Sequence, residues 1–136
     1  MNSNAGKSRH LSIHIDRTAA DVYAFAANPV NLPAWAHGLG GTVEQVGDEW
    51  IADSSPLGRV TVAFTPRNDL GVLDHHVTLP SGETFHNPVR VIADGPASEV
   101  VFTLRRQPGT TDADFDRDTA AVTADLARLK DLLESD

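Results

Sequence analysis

Residues 73–91, LDHHVTLPSGETFHNPVRV, predict a β-hairpin and set its register. The loop at residues 80–82 has the Pro-x-Gly chemistry of a three-residue turn, because Gly82 can adopt the left-handed conformation that closes it. This turn makes His75 and Asn87 cross-strand neighbours. The hairpin then has one mostly apolar face, which collects Leu73, His75, Val77, Leu79, Phe85, Asn87, Val89 and Val91. A histidine and an asparagine on such a face are candidates for function.

The composition narrows the class of protein. A chain of 136 residues suits a single domain that buries roughly two thirds of its unfolded surface. The formal charge of −8 and the scattered basic residues argue against binding to nucleic acid or to an anionic membrane surface. The absence of cysteine excludes disulfides and thiolate catalysis. With no signal peptide and no long apolar run, the sequence predicts a cytoplasmic protein without membrane insertion, with a flexible segment at residues 1–8 and one domain at residues 9–136.

The first third of the chain predicts one strand and two short helices. Residues 10–16 alternate apolar and polar side chains, as a half-buried strand does. Thr18, with Asp21 three residues later, resembles a capping box that begins a helix, and residues 28–29 (Asn-Pro) end it. Residues 31–38 predict a second short helix with a proline in its first turn and a glycine as its stop.

The middle of the chain predicts six short antiparallel strands. Turn signals recur at residues 47–48, 56–58, 67–70, 80–82 and 94–97. If both Pro-x-Gly loops have the same geometry, Trp50, Ala52 and Ser54 share the face of Val60, Val62 and Phe64. On the last strand we expect Val100, Phe102 and Leu104 to face inward, opposite Glu99, Thr103 and Arg105.

Residues 111–135 predict a long amphipathic helix. Thr111 and Asp114 form a second capping box. One helical stripe collects Phe115, Thr119, Val122, Leu126, Leu129 and Leu133. The order of elements therefore predicts an α+β fold, β-α-α-β6-α, in which a curved antiparallel sheet of about seven strands wraps around the C-terminal helix.

Residues 12–38, SIHIDRTAADVYAFAANPVNLPAWAHG, carry a family resemblance. The pattern Ala-x-x-Val-Tyr-x-Phe-x-x-Asn-Pro followed by a tryptophan, from Ala19 to Trp35, is similar to the START-type, Bet v 1-like superfamily, which includes bacterial polyketide cyclase and dehydratase-like proteins. The resemblance extends over about residues 9–134. It implies a helix-grip fold with a cavity between sheet and long helix, where members bind hydrophobic molecules. It implies no particular reaction, because one fold hosts many functions.

His75 and Asn87 are the first candidate site. Burial in an apolar cavity favours the neutral imidazole, which leaves one ring nitrogen able to accept a proton. The Asn87 amide could fix the tautomer or bind a substrate carbonyl. Three interpretations stay open at this point: a hydrogen-bonded core histidine, a group that positions a ligand, and a general acid/base.

Further candidates line the expected cavity. Trp35 and His37 precede the glycine-rich residues 38–41, which the resemblance puts at the cavity mouth as a lid. Trp50, near Gln45 in the expected register, offers a flat surface for an aromatic ligand. The remaining ligand-binding candidates are Phe64, Leu73, Val77, Phe85, Phe102, Val122 and Leu126. Each tryptophan could equally be ordinary core, and His37 could equally be a solvated loop residue.

We predict no metal site and no cofactor. Asp74, His76 and His86 share the opposite face of the hairpin and form a ligand inventory for a metal. The expected register puts Arg105 beside His86, however, and a cation there disfavours a second cation. Nothing in the sequence supplies the outer hydrogen bonds that a metal site needs.

Two functions from different classes follow. The first is binding of a small hydrophobic molecule, aromatic or polyketide-like, in the cavity. The alternative is a polyketide cyclase or dehydratase-like enzyme that uses His75 as general acid/base. A third interpretation, an interaction domain with a filled interior, fails if the structure has a continuous cavity above about 300 Å³.

Overall fold

The structure is a computed structural model, and it describes residues 7–36, 42–54 and 58–135. The elements follow in the order β1 (Ser8–Ile15), α1 (Ala19–Ala26), a 3-10 turn (Pro29–Asn31), α2 (Leu32–Trp35), β2 (Val43–Val46), β3 (Glu49–Ser54), β4 (Gly58–Phe64), β5 (His75–Thr78), β6 (Thr84–Asn87), β7 (Val89–Asp94), β8 (Ala97–Arg105) and α3 (Asp112–Glu134). The predicted α+β class and the long C-terminal helix are confirmed.

The strands form two antiparallel sheets. One has five strands in the order β2-β3-β4-β5-β6, and the other has three in the order β1-β8-β7. The structure therefore has eight strands, one more than the sequence predicted. Beginning at Ser8, β1 also starts two residues before the expected strand and includes a residue expected in the flexible N-terminus.

The additional strand comes from Pro88. We expected one strand across residues 83–91, but proline has no N–H to donate to a neighbouring strand and interrupts the ladder. Before Pro88 the chain pairs with β5, and after it Val89 pairs with Phe102 of β8. The expected pairing of Leu73 with Val89 persists as a hydrogen bond from Leu73 N to Val89 O at 2.8 Å. The Pro88 carbonyl accepts a hydrogen bond from Thr103 N at 2.9 Å. The chain thus passes from one sheet to the other without a loop.

The hairpin register agrees with the turn argument. His75 is paired with Asn87, as predicted. Leu79 N donates to Glu83 O at 2.8 Å, and Gly82 has a φ of 93°. The expected pairings of Gln45 with Trp50, of Trp50 with Val62 and of Ala52 with Val60 are also present. Of the second Pro-x-Gly loop, at residues 56–58, Pro56 and Leu57 lie outside the described residues, and Gly58 has a φ of 84°.

The helices begin where the capping signals predicted. The Thr18 hydroxyl accepts a hydrogen bond from Asp21 N, and the Thr111 hydroxyl accepts one from Asp114 N. The second helix, α2, ends at Trp35, earlier than expected. None of the helices among the described residues is long and apolar enough to cross a membrane.

The apolar stripe of α3 packs against the sheets. Phe115, Leu126, Leu129 and Leu133 are its buried residues. Three of them belong to one continuous core that also includes Ile15, Val22, Val60, Val62 and Val100. Arg9 and Arg106 lie over the Phe115 ring, with guanidinium carbons 4.3 and 5.4 Å from its centroid. These contacts fix α3 at its N-terminal end.

Candidate functional site

A cavity of about 390 Å³ lies between α3, the short helices and strands β4 to β8. Its volume exceeds the roughly 300 Å³ at which ligand pockets begin, so the interior is not filled. Its lining consists of Ala26, Leu32, Trp35, Ala36, Phe64, Leu73, His75, Val77, Leu79, Phe85, Asn87, Val89, Phe102, Leu104, Arg105, Gln107, Asp118, Val122, Asp125 and Leu126. Most of these side chains are apolar, which suits a hydrophobic ligand.

The cavity brings together most of the residues that the sequence suggested. The members of both sets are Trp35, Phe64, Leu73, His75, Val77, Phe85, Asn87, Phe102, Val122 and Leu126. His37 and the expected glycine-rich lid lie outside the described residues. Trp50 and Gln45 are absent from the lining.

The expectation that Trp50 and Gln45 line the cavity was wrong. They pair with each other on β3 and β2, and neither strand contributes to the cavity lining. Trp50 is half-buried and packs against the apolar core. Gln45 is exposed and donates from Nε2 to Gly47 O at 3.3 Å. The inward face is therefore packed at β3 and open from the end of β4 onward.

The hydrogen bonds of His75 determine its tautomer. Nδ1 lies 3.1 Å from the carbonyl oxygen of Leu73, which can only accept, so Nδ1 carries the proton. Nε2 is then the acceptor, and Asn87 Nδ2 lies 3.4 Å from it. Burial lowers the pKa of His75 below its ordinary value of 6.5, against the opposing effect of the Leu73 hydrogen bond. At neutral pH the ring is uncharged and its Nε2 lone pair lies beside the Asn87 amide.

Two phenylalanines hold the His75 ring in place. Phe64, its cross-strand partner on β4, lies 5.2 Å away between ring centroids at an interplanar angle of 39°. Phe102 on β8 lies 6.5 Å away in an edge-on arrangement. Aromatic pairs at these distances contribute to packing beyond the area that they bury. The imidazole is thus oriented by its neighbours before any ligand enters.

Sequence reasoning missed a polar set at the cavity lining. Its members are Arg105, Gln107, Asp118 and Asp125. Arg105 was expected on the opposite face, but it is the last residue of β8, where the alternation of the strand ends. The two carboxylates could have been found, since Asp118, Val122 and Asp125 recur at i, i+4 and i+7 and share one face of α3.

The two carboxylates of α3 have different surroundings. Burial raises the pKa of Asp118 above its ordinary value of 3.8, and nearby Asp114 adds to the effect, which Arg117 opposes. Asp125 forms an ion pair with Arg128, which also donates from Nε to the carbonyl of Trp35 at 3.3 Å. Arg128 therefore joins α3 to α2 at the edge of the cavity.

Trp35 carries a buried polar group without a partner. Its side chain lines the cavity and is 8% exposed. Among the residues that the structure describes, no atom accepts a hydrogen bond from Nε1. Buried donors in proteins are nearly always paired, so this N–H is a ready partner for an acceptor atom of a ligand.

The outer face of the hairpin has a separate arrangement. His76 and His86 stack with ring centroids 4.6 Å apart. Asp74 is bound to Arg90 and is not free to complete a metal site with them. In the described part of the chain, no cluster of three or more His, Cys, Asp or Glu side chains could hold a metal ion.

Solved structures with the same fold are known, although their sequences are distant. DynU16, from the dynemicin biosynthetic locus, has a TM-score of 0.73 at 12% identity over 93% of this chain, which spans only 47% of that protein. The Aha1 dimer from Colwellia psychrerythraea has a TM-score of 0.73 at 17% identity over 94% of this chain and 96% of its own. Truncated norcoclaurine synthase from Thalictrum flavum has a TM-score of 0.62 at 14% identity, over 100% and 99% of the two chains. No protein-family model and no curated protein matches the sequence. The chain has the helix-grip, Bet v 1-like fold.

Proposed function

We propose that the protein binds a small hydrophobic molecule, aromatic or polyketide-like, in the cavity between α3 and the sheets. The observation that carries this proposal is a cavity of about 390 Å³ that combines a mostly apolar lining with one neutral His75–Asn87 pair. Ligand pockets have this character, since apolar walls supply affinity and a few polar groups fix orientation. Two proteins of the same fold support the proposal: DynU16 belongs to the dynemicin biosynthetic locus, and the other is norcoclaurine synthase.

The polar atoms of the cavity define how the ligand is held. Trp35 Nε1 donates to an acceptor atom such as a carbonyl oxygen. Asn87, whose Nδ2 contacts His75 Nε2 at 3.4 Å, offers its second N–H as a donor and its carbonyl oxygen as an acceptor at the sheet side. In keeping with the charge of −8 and the cysteine-free composition, we place this activity in the cytoplasm, without a cofactor and without binding to nucleic acid.

The two tryptophans of the chain allow a direct test. Trp35 lines the cavity and Trp50 does not. In Trp50→Phe, Trp35 is the single tryptophan, and its fluorescence should change in a saturable way when aromatic ketones, sterols or fatty acids are titrated in. In Trp35→Phe, the remaining Trp50 should not respond to the same ligands. Native mass spectrometry of the purified protein identifies any molecule that is already bound.

Two results would contradict the proposal. If no ligand changes the emission of Trp35, and native mass spectrometry releases no small molecule, the binding proposal is wrong. A response of Trp50 equal to that of Trp35 would move the binding site to another part of the fold.

A second function, catalysis by His75, is favoured by one observation. The Leu73 carbonyl keeps the proton on Nδ1, and burial keeps the ring neutral, so Nε2 is able to abstract a proton next to a ligand carbonyl. The variant His75→Ala separates the two functions. For a binder it weakens affinity by the loss of one hydrogen bond, about 0.5–1.5 kcal/mol. For an enzyme it lowers the rate roughly a hundredfold or more and leaves ligand affinity nearly unchanged.

A further inference from the structure

Arg105 differs from the other arginines of the protein. The chain has nine arginines, and seven of them contact a carboxylate within 4.0 Å. Arg67 lies over the ring of Tyr23 instead. Among residues 7–36, 42–54 and 58–135, no carboxylate lies within 4.0 Å of the Arg105 guanidinium, and no aromatic ring lies beneath it. Arg105 also belongs to the lining of the cavity.

The charge balance makes this unusual. The chain has 19 acidic and 11 basic residues. With such an excess of carboxylates, an acidic side chain without a cation is expected, whereas an arginine without an anion is not. An arginine at a cavity lining that contacts no carboxylate within the described residues is available to a ligand, and guanidinium groups match carboxylates through two parallel hydrogen bonds.

Trp35 points to the same ligand chemistry. Its buried Nε1–H also lacks an acceptor among the described residues, and it lines the same cavity. In the part of the chain that the structure describes, two donors of the lining thus have no acceptor, one neutral and one charged. An occupant that satisfies such a lining is rich in acceptor atoms.

Two carboxylates of α3, Asp118 and Asp125, also line the cavity and would repel an anionic ligand. Asp125 is compensated by its ion pair with Arg128. Asp118 lies on α3, whereas Arg105 lies at the end of β8, on the sheet side of the cavity. Asp118 therefore reduces the affinity for an anion and does not occupy the guanidinium.

We propose that the ligand of the cavity is a hydrophobic organic acid whose carboxylate pairs with Arg105 while its apolar body lies between α3 and the sheets. This inference rests on the proposed binding function and specifies its ligand class. Because Arg105 is exposed, the pairing adds selectivity more than raw affinity.

The test uses two probes with the same apolar body, 2-naphthoic acid and 2-naphthamide, and isothermal titration calorimetry. The wild-type protein should bind the acid roughly threefold to tenfold more tightly than the amide at low salt, and the preference should shrink at 0.5 M NaCl. Arg105→Gln should abolish the preference for the acid over the amide. Arg105→Lys should retain part of it, because the charge remains but the planar fork does not.

Two further variants act as controls. Arg59→Gln removes the same charge from β4 outside the cavity and should retain the full preference. Asp118→Asn should increase the preference for the acid over the amide, since it removes a repelling charge from the lining. Unchanged melting temperatures would exclude a folding defect in each variant.

The failures of the two proposals can be told apart. If the acid and the amide bind equally well, or if the preference survives in Arg105→Gln, the assignment of the carboxylate to Arg105 is overturned while binding itself stands. If neither probe binds, the cavity-binding function fails and this inference fails with it.

Discussion

Asp74 binds the side chain of Arg90 through both carboxylate oxygens. Arg90 Nε lies 3.0 Å from Oδ1, and Nη2 lies 2.8 Å from Oδ2. The same Oδ1 accepts a hydrogen bond from Val89 N at 2.9 Å. This carboxylate therefore holds the first residue after Pro88, at the point where the chain changes sheets. It also precedes His75 directly, so it anchors the wall on which the candidate site is built.

We expect Asp74→Asn to lower the free energy of unfolding by about 1–3 kcal/mol, because it weakens charge-assisted hydrogen bonds of a mostly buried side chain. The hydrogen bond from Arg90 lowers the pKa of Asp74 from its ordinary 3.8. The wild-type contribution is thus present above that value and lost as the pH falls below it. Urea denaturation at pH 7 measures the loss. Asp69→Asn, in an exposed loop, is the control, and equal stability of the two variants would contradict the anchoring role.

The stability of the protein should depend on pH through His75. Its pKa in the folded state is lowered from 6.5, chiefly by burial. The unfolded chain therefore binds more protons below that value, and the contribution is fully present above pH 6.5 and lost as the pH falls. Denaturation between pH 7.5 and 5 should show a smaller loss for His75→Gln than for wild type. The exposed His10 supplies the control variant, His10→Gln, which should follow wild type; identical slopes for all three proteins would refute the assignment.

Gly71 should tolerate no side chain. Its φ is 74°, and a Cβ at this position would lie 2.3 Å from the carbonyl oxygen of Val91, whose N–H donates to Gly71 O. Gly71→Ala should cost more than about 2 kcal/mol of unfolding free energy, because backbone strain and a backbone collision add. Gly47 also has a positive φ, but no atom lies within 4 Å of a Cβ built there. Gly47→Ala should cost only about 1 kcal/mol of unfolding free energy. Similar losses of stability in the two variants would show that a Cβ at residue 71 does not collide with Val91 O.

Ser98 is fully buried, and its hydroxyl has no hydrogen-bond partner within the described part of the chain. Ser98→Ala removes a desolvated polar atom and should raise the free energy of unfolding by up to about 1 kcal/mol. Thermal denaturation of Ser98→Ala beside the exposed control Ser12→Ala measures the change. A loss of more than about 1 kcal/mol would mean that the hydroxyl is hydrogen-bonded after all.

The register of the sheet was predictable because short turns determine it locally. Gly82 closes a three-residue loop, and that geometry alone aligns His75 with Asn87. The helix starts were predictable for the same reason, since Thr18 and Thr111 cap their helices through contacts three residues away. The division at Pro88 was visible in the sequence, as proline lacks the N–H that a central strand requires.

The extent of the cavity was not predictable from pattern. Trp50 and Phe64 have the same inward alternation in the sequence, yet only Phe64 lines the cavity. Trp50 packs against the apolar core outside the cavity, and such an arrangement depends on long-range packing rather than on neighbours in sequence. Arg105 was misplaced because alternation holds only inside a strand, and the end of β8 had to be located first.

The crossing at Pro88 also has a consequence for the shape of the cavity. Since β6 and β8 belong to separate sheets, the side chains of Phe85 and Leu104 lie on walls that are not joined by a continuous ladder of main-chain hydrogen bonds. Substitutions at such positions alter the shape of the cavity without breaking strand pairing. The same framework can therefore hold cavities of different shape.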